Sequence, residues 1–166
     1  VWKKTLRVSQ RGHETRKPGM RALILYPMNA LVEDQLSRLR KALDSNESRE
    51  WLKAKRSGNR LYFGRYNSVT PVAGQEFRKT GNPNSGKIED LAKELCALEG
   101  SASVTENDEG ARYFFPRLDG AEMRSRWDMQ ECPPDILITN YSMLSVMMMR
   151  EVERDVFEKT KNWLEK

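Results

Sequence analysis

The sequence ALILYPMNALVEDQLSRLRKAL, residues 22–43, decides the fold of this chain. Its apolar run 22–26 ends at Pro27, is too short for a helix and has no polar alternation. It therefore predicts a strand that is buried on both faces. The apolar residues that follow share one stripe of a helix: Val32, Leu36, Leu39 and Leu43. The stretch predicts a strand–loop–helix unit, the building block of a parallel α/β sheet.

The junction between this strand and helix suits a turn followed by a helix start. Pro27 restricts Tyr26 to extended geometry, and Asn29 is placed to cap the first amides of the helix. In open parallel sheets, ligands collect beyond the carboxyl ends of the strands. Helix starts at that edge attract anions such as phosphate. The junction is a candidate phosphate site, although an ordinary connection would have the same pattern.

Length and composition indicate one folded unit with a thin core. The chain has 166 residues, of which 38% are hydrophobic and 32% charged, and its mean hydropathy is -0.77. These values suit a single domain with long exposed loops. No run approaches the roughly 20 apolar residues of a membrane span, and no signal segment is visible. We expect a cytoplasmic protein without a membrane partner, and the start at Val1 indicates a fragment or a processed product.

The charge distribution favours a polyanionic partner. The net charge is +5 and the pI is about 9.3, and basic residues crowd the first part of the chain. We assign residues 1–20 as a basic lead-in, either a solvated arm or a binding element, and 21–166 as the folded domain. Cys96, Cys132 and the single His13 lack metal-ligand spacing, which argues against a zinc site, a disulfide framework and a Cys–His nucleophile pair.

Later segments repeat the alternation of strands and helices. The patterns predict helices over 45–58, 87–98, 120–130, 143–149 and 152–164. They predict strands over 60–66 and 135–139, and loops over 67–74 and 99–112. The acidic residues of the second loop lack the ordered ligand pattern of a calcium loop. The order argues for a three-layer α/β domain with a parallel sheet that is incomplete.

The segment GNPNSGKI, residues 81–88, comes close to a nucleotide phosphate loop. That loop needs a buried strand before it and a magnesium-binding hydroxyl after its lysine. Ile88 stands where the hydroxyl should be, and Pro83 removes an amide that would bind phosphate. Nucleotide binding at Lys87 is therefore poorly supported.

Three segments in order resemble superfamily 2 helicases of the DEAD/DEAH-box type. YPMNALVEDQLSRLR is similar to the motif that follows the ATP-binding segment, and PPDILITNYSMLSVMMMR is similar to the segment before the acidic box. GRYNSVTP lies between them, where the family has another strand-end loop. The resemblance covers about residues 20–150, and the sequences of these segments are most similar to those of large bacterial helicases of anti-phage defence systems. It implies part of the first RecA-like domain, a P-loop NTPase-type fold.

The resemblance also implies a site that binds nucleic acid. In such helicases these loops hold the phosphodiester backbone of one strand through amides, helix starts and small hydroxyls. The first contact would be shaped by Pro27, Asn29 and Ala30, the second by Gly64, Arg65 and Thr70, and the third by Thr139, Asn140 and Tyr141. We expect the Thr139 hydroxyl to be free for phosphate, and Asn140 to cap the next helix. Tyr141 could contact nucleic acid or pack against Leu144.

The resemblance is incomplete, because this sequence contains neither the Walker A loop nor the DEAH box of the family. We expect no catalytic residue, metal or cofactor in this chain, whereas the intact helicase would bind ATP and Mg²⁺ and hydrolyse ATP. Its partners would be single-stranded or duplex nucleic acid, DNA more than RNA, and the remaining helicase domains. The alternative is a stand-alone binding or adaptor module that uses the basic lead-in and exposed Met and Trp residues, with no ATPase role.

Overall fold

The computed structural model describes residues 8–27, 30–108 and 110–165. Its sheet consists of three strands: β1, Ala22–Leu25; β2, Phe63–Arg65; and β3, Ile136–Thr139. β3 lies in the middle and is parallel to both neighbours, in the order β1-β3-β2. The register aligns Leu25 with Thr139, and Arg65 with Ile138. The predicted parallel sheet is confirmed.

Helices connect the strands in the predicted alternation. They are α1, Ala30–Leu43; α2, Asn46–Lys55; α3, Ser85–Thr105; α4, Arg126–Glu131; α5, Tyr141–Met149; and α6, Arg154–Leu164. A short 3-10 turn, Glu151–Glu153, precedes α6. Ser45 caps α2 by accepting a hydrogen bond from the Ser48 amide, as serine commonly does at the start of a helix.

Helices cover both faces of the sheet. On one face, Leu36 of α1 packs against Ile138 of β3. On the other face, Leu137 packs with Met147 of α5 and Val156 of α6. Each of these side chains is 0% exposed, and such burial contributes about 1.5–3 kcal/mol per apolar side chain. The alternation of Leu137 and Ile138 along β3 thus holds three layers together.

Strand β1 is more exposed than the sequence predicted. Ala22 is exposed and Leu23 is 42% exposed, so the expectation of a strand buried on both faces is wrong for β1. The reason is topological, since β1 is an edge strand of the described sheet. Burial on both faces holds for Leu137 and Ile138 in the middle strand.

The segment before α4 is extended, and the helix predicted over 120–130 begins only at Arg126. Phe63 donates its amide to the Ala121 carbonyl, and the Met123 amide donates to Phe63 at 2.7 Å. Residues 121–123 therefore run beside β2 and form a parallel bridge between Phe63 and Glu122. Pairing with the sheet satisfies these backbone groups, and this outweighs the helical spacing of the side chains.

Helix α3 continues beyond its predicted end and includes residues 99–105 of the expected loop. The Ser101 and Thr105 hydroxyls donate to carbonyls one turn earlier, those of Ala97 and Ser101. These bonds satisfy small polar side chains within the helix. The apolar face of α3 packs through Leu91 and Leu95 against Trp127 of α4.

The described part of the lead-in packs against the domain, so residues 8–20 do not form a solvated arm. Arg11 is 4% exposed. Arg16 and Arg21 both form ion pairs with Asp135, which precedes β3 and is 1% exposed. The Gln10 side chain donates to the Glu122 carbonyl at 2.6 Å. Much of the positive charge in this segment is therefore compensated by buried carboxylate.

Candidate nucleic-acid interface

The carboxyl ends of the three strands lie side by side on one edge of the sheet. The Tyr26 amide donates to the Thr139 carbonyl at 2.9 Å, and the Tyr66 amide donates to the Ile138 carbonyl at 2.8 Å. Neighbouring strands are about 4.8 Å apart, so the three strand ends span roughly 10 Å. The segments that follow β1, β2 and β3 are thus brought to a common surface.

The first segment leads from β1 into α1. Pro27 is exposed directly after the strand, and α1 begins at Ala30. Asn29, the expected cap, lies outside the described residues. The start of α1 is therefore placed at the carboxyl edge, where its first amides would favour an anion.

The second segment is a compact turn that follows β2. The Thr70 hydroxyl donates to the Arg65 carbonyl at 2.8 Å and accepts from the Asn67 amide at 3.0 Å. Thr70 and Asn67 are 5% and 2% exposed, whereas Val69 is 56% exposed. Thr70 therefore shapes the turn from within, while Ser68 and Val69 form its exposed tip.

Gly64 lies inside the sheet rather than on the edge surface. A Cβ atom at this position would stand 3.0 Å from the Met129 sulfur and 3.2 Å from Met123 Cβ. Such distances are shorter than ordinary van der Waals contact. The glycine thus permits α4 and the 121–123 segment to approach β2 closely.

Arg65 extends from the end of β2 to the first turn of α1. Its guanidinium forms an ion pair with Glu33, whose carboxylate is also 3.9 Å from Arg40. Burial lowers the pKa of Arg65 from its ordinary value, although a guanidinium stays charged at neutral pH. A phosphate that binds Arg65 would therefore have to compete with the Glu33 carboxylate.

The third segment leads from β3 into α5. The Asn140 side chain accepts from the Met143 amide at 2.8 Å, so the predicted cap is confirmed. The expectation of a free Thr139 hydroxyl is wrong, because Thr139 is 2% exposed and donates to the Tyr66 carbonyl at 2.6 Å. Tyr141 is 67% exposed in the first turn of α5, so most of its side chain is not covered by packing, and its contact with nucleic acid stays a prediction.

A buried network behind these turns was missed by the sequence analysis. Arg126 donates to the Asn67 carbonyl at 2.6 Å, and its guanidinium carbon lies 5.4 Å from the centroid of the Tyr66 ring. The Tyr66 hydroxyl donates to Glu153 and accepts from Gln130, both at 2.8 Å. Burial is the main reason that the pKa of Tyr66 is raised above its ordinary value. No local pattern marks these residues, because they come together from three separate segments.

Lys87 lies in the first turn of α3 and donates to the Ala73 carbonyl at 2.7 Å. The residues before it form an isolated antiparallel bridge between Phe77 and Pro83 instead of a buried strand. The strand that holds a nucleotide phosphate loop does not precede Lys87. Within the described ranges, no helix has the length and apolar character needed to cross a membrane.

Comparison with known proteins identifies one relative with substantial similarity. The chain is 33% identical to Druantia protein DruE of Escherichia coli over an alignment of 201 positions. The alignment includes 99% of this chain, which spans only 11% of the length of that relative. No protein-family model and no solved structure matches the chain.

Proposed function

We propose that this chain is the nucleic-acid-binding part of the first RecA-like motor domain of an ATP-dependent DEAD/DEAH-box helicase or translocase. The order of three helicase-like segments supports this proposal, as does the parallel sheet with helices on both faces. Similarity to Druantia protein DruE along almost the whole chain supports a role of the intact protein in anti-phage defence.

The observation that carries the proposal is the shared edge of the three strand ends. Two parallel pairings bring the segments after Leu25, Arg65 and Thr139 together, although they are far apart in the sequence. The three strand ends span only about 10 Å, so a short stretch of one nucleic-acid strand could contact all three segments. Loops on separate edges could not contact one strand in this way.

The exposed groups at this edge suggest how the strand is held. The starts of α1 and α5 would offer amides to phosphates, and the exposed Tyr141 ring would stack against a base. The buried Thr70 and Thr139 hydroxyls hold the turns in place instead of contacting the ligand. Contacts of this kind fix the position of a strand without reading its sequence.

In the intact helicase, ATP and Mg²⁺ would be bound by motifs that this sequence does not contain. Phosphoryl transfer depends on a phosphate loop and a magnesium carboxylate, and no side chain that the structure describes at this edge replaces them. Closure of two motor domains would move the nucleic-acid strand across the three segments that follow β1, β2 and β3. This chain by itself is therefore expected to bind nucleic acid without hydrolysing ATP.

Fluorescence anisotropy with a labelled single-stranded oligonucleotide tests the proposal. Loss of one stacking contact costs about 1–3 kcal/mol, so Tyr141→Ala should weaken binding by roughly 5- to 150-fold. Trp51→Ala is the matched control, because Trp51 is 54% exposed on α2, away from the edge. With about two phosphates contacted, the logarithm of affinity should fall with a slope near -1.4 against the logarithm of salt concentration. Equal losses of affinity for the two variants would refute the placement of the nucleic acid at this edge.

The alternative of a basic binding module can be tested in the same assay. Ion pairs with Asp135 occupy Arg16 and Arg21, and this does not favour residues 8–21 as a free basic arm. Deletion of residues 1–7, which lie outside the described ranges, should leave most of the affinity intact. Loss of binding on that deletion, with Tyr141→Ala without effect, would favour the alternative.

A further inference from the structure

Val72 has a backbone conformation that β-branched residues rarely adopt. Its φ angle is 49°, in the left-handed region where the Cβ atom crowds the backbone. The other non-glycine residue with a positive φ in the described ranges is Ser57, which lies at the end of α2, and helices often end in this way. Val72 instead lies in the segment that leaves the turn after β2, residues 71–74. We call it the strained segment, because such a conformation persists only where neighbouring groups hold it.

Helix α4 holds both ends of the strained segment. The Arg126 amide donates to the Pro71 carbonyl at 3.1 Å, and the Trp127 indole donates to the Gly74 carbonyl at 2.9 Å. The Arg126 guanidinium also donates to the Asn67 carbonyl at 2.6 Å. The first residue of α4 therefore bonds to the chain on both sides of the turn after β2, and it ties the strained segment to that turn.

Helix α3 holds the middle of the strained segment through Lys87. The Lys87 ammonium donates to the Ala73 carbonyl at 2.7 Å. The Val72 side chain packs against the cluster that contains Leu91 of α3 and Trp127 of α4. Lys87 itself is exposed, so its replacement leaves no cavity. The lysine of the segment that resembles a phosphate loop thus anchors a backbone carbonyl in this structure.

From the strained Val72 and its anchors on α3 and α4, we propose that residues 67–74 form one unit that opens locally while the sheet stays folded. Lys87 is a positioning residue that keeps this unit closed. Opening releases the strain at Val72, so the closed form depends on its anchors. In the closed form the exposed tip, Ser68 and Val69, lies at the carboxyl edge, and opening withdraws it.

The consequence for nucleic acid rests on the proposed function. A strand that contacts the tip only in the closed form must stabilise that form, because a ligand shifts an equilibrium by its differential affinity for the two states. Opening of the unit would remove the second of the three contacts from the edge. The unit would thus regulate how firmly the strand is held.

Amide hydrogen exchange of the free 166-residue chain, followed by NMR in increasing urea, tests the local opening. The Val69 and Thr70 amides bond to Asn67 within the turn, so exchange requires the turn to open. Their protection factors should be at least about tenfold below those of the Leu137 and Ile138 amides in β3. They should also depend little on urea, because a small unit exposes little surface. Equal protection at the two places would mean global unfolding alone and would overturn the proposal.

Lys87→Met tests the anchor. The Val69 and Thr70 amides should exchange about 2- to 10-fold faster in this variant, as expected for the loss of one hydrogen bond. Lys93→Met is the matched control, because Lys93 is exposed on the same helix and its ammonium lies 3.8 Å from Asp90. The control should leave these rates unchanged. Unchanged rates in Lys87→Met, or an equal increase in the control, would contradict the anchoring role.

A comparison of Val72→Gly with Val72→Ala tests the strain. Both variants lose the branched methyl groups, but only glycine adopts a positive φ without cost. The turn amides should therefore exchange about 3- to 10-fold more slowly in Val72→Gly than in Val72→Ala. Ala73→Gly is the control, since Ala73 does not share the positive φ, and there glycine should make exchange faster. Faster exchange in Val72→Gly than in Val72→Ala would refute the strain.

A single-stranded oligonucleotide separates this proposal from the proposed function. At saturation it should slow exchange of the Val69 and Thr70 amides about tenfold or more. Binding without slower exchange at the turn would overturn the regulatory role of the unit. Absence of binding, with the effects of the Lys87 and Val72 variants intact, would refute the proposed function and support local opening.

Discussion

Replacement of Thr139 by valine separates a structural role of its hydroxyl from a role in binding. The hydroxyl donates to the Tyr66 carbonyl at 2.6 Å, and the two residues are 2% and 0% exposed. Valine has nearly the same shape as threonine but cannot donate a hydrogen bond, so the Tyr66 carbonyl loses its buried hydrogen-bond donor. The free energy of unfolding should fall by about 1–2 kcal/mol.

Thermal unfolding followed by circular dichroism measures this change. For a chain of this size the loss corresponds to a decrease in Tm of about 2–8 °C. Thr105→Val is the matched control, because the Thr105 hydroxyl bonds only to carbonyls of its own helix and is half-buried. The control should change stability by less than about 0.5 kcal/mol.

The affinity of the Thr139→Val protein for a single-stranded oligonucleotide completes the test. Measured well below the lowered Tm, the affinity should be within about twofold of the original, since no contact with phosphate is lost. An unchanged Tm together with a tenfold loss of affinity would refute the structural role. It would mean that the hydroxyl is released from Tyr66 to contact the ligand.

Three further predictions follow from individual contacts. Gly120→Ala would place a Cβ against the Asp44 carboxylate and 2.9 Å from the Arg117 carbonyl. Thermal unfolding should therefore show that the free energy of unfolding falls by about 1–3 kcal/mol. Gly86→Ala is the control: its Cβ would lie in open space on α3, so this variant should stabilise the protein. Glu33→Gln would remove the carboxylate partner of Arg65, and anisotropy should show a few-fold tighter binding of single strands; weaker binding would contradict this role. Burial raises the pKa of Asp44, so the folded state holds this proton more tightly than the unfolded chain. Stability should fall as pH rises from the ordinary carboxyl range through the folded pKa. Thermal unfolding across pH should show that Asp44→Asn removes this slope, and an unchanged slope would contradict the assignment.

Local patterns were sufficient to predict the elements that begin at strong start signals. The strand and helix within residues 22–43, the buried middle strand at 136–139 and the Asn140 cap are all present. The periodicity and the capping side chain lie within a few residues of each other, so a short stretch contains the whole cause. The start of α4 was harder, because residues 121–123 before it pair with the distant strand β2. The end of α3 was missed because its small polar side chains bond to carbonyls within the helix instead of ending it.

The roles of hydroxyls and charges depended on contacts that the sequence does not reveal. Thr70 and Thr139 were candidates for phosphate, yet both donate to carbonyls within the turns. The basic lead-in, residues 1–20, suggested a solvated arm or a binding element, yet Arg16 in its described part is paired with Asp135, as is Arg21 directly after it. A side chain of given chemistry can contact either a ligand or a neighbour, and only the distances decide which.

The sequence by itself determined that apolar strands lead into helix starts, because that signal is local hydrophobic periodicity interrupted by proline and a capping residue. Only the tertiary structure decided that the three strand ends share one edge and that β1 is at the margin of the sheet. Strand order and register arise from hydrogen bonds between backbones more than 40 residues apart, and those bonds leave no trace in a local pattern.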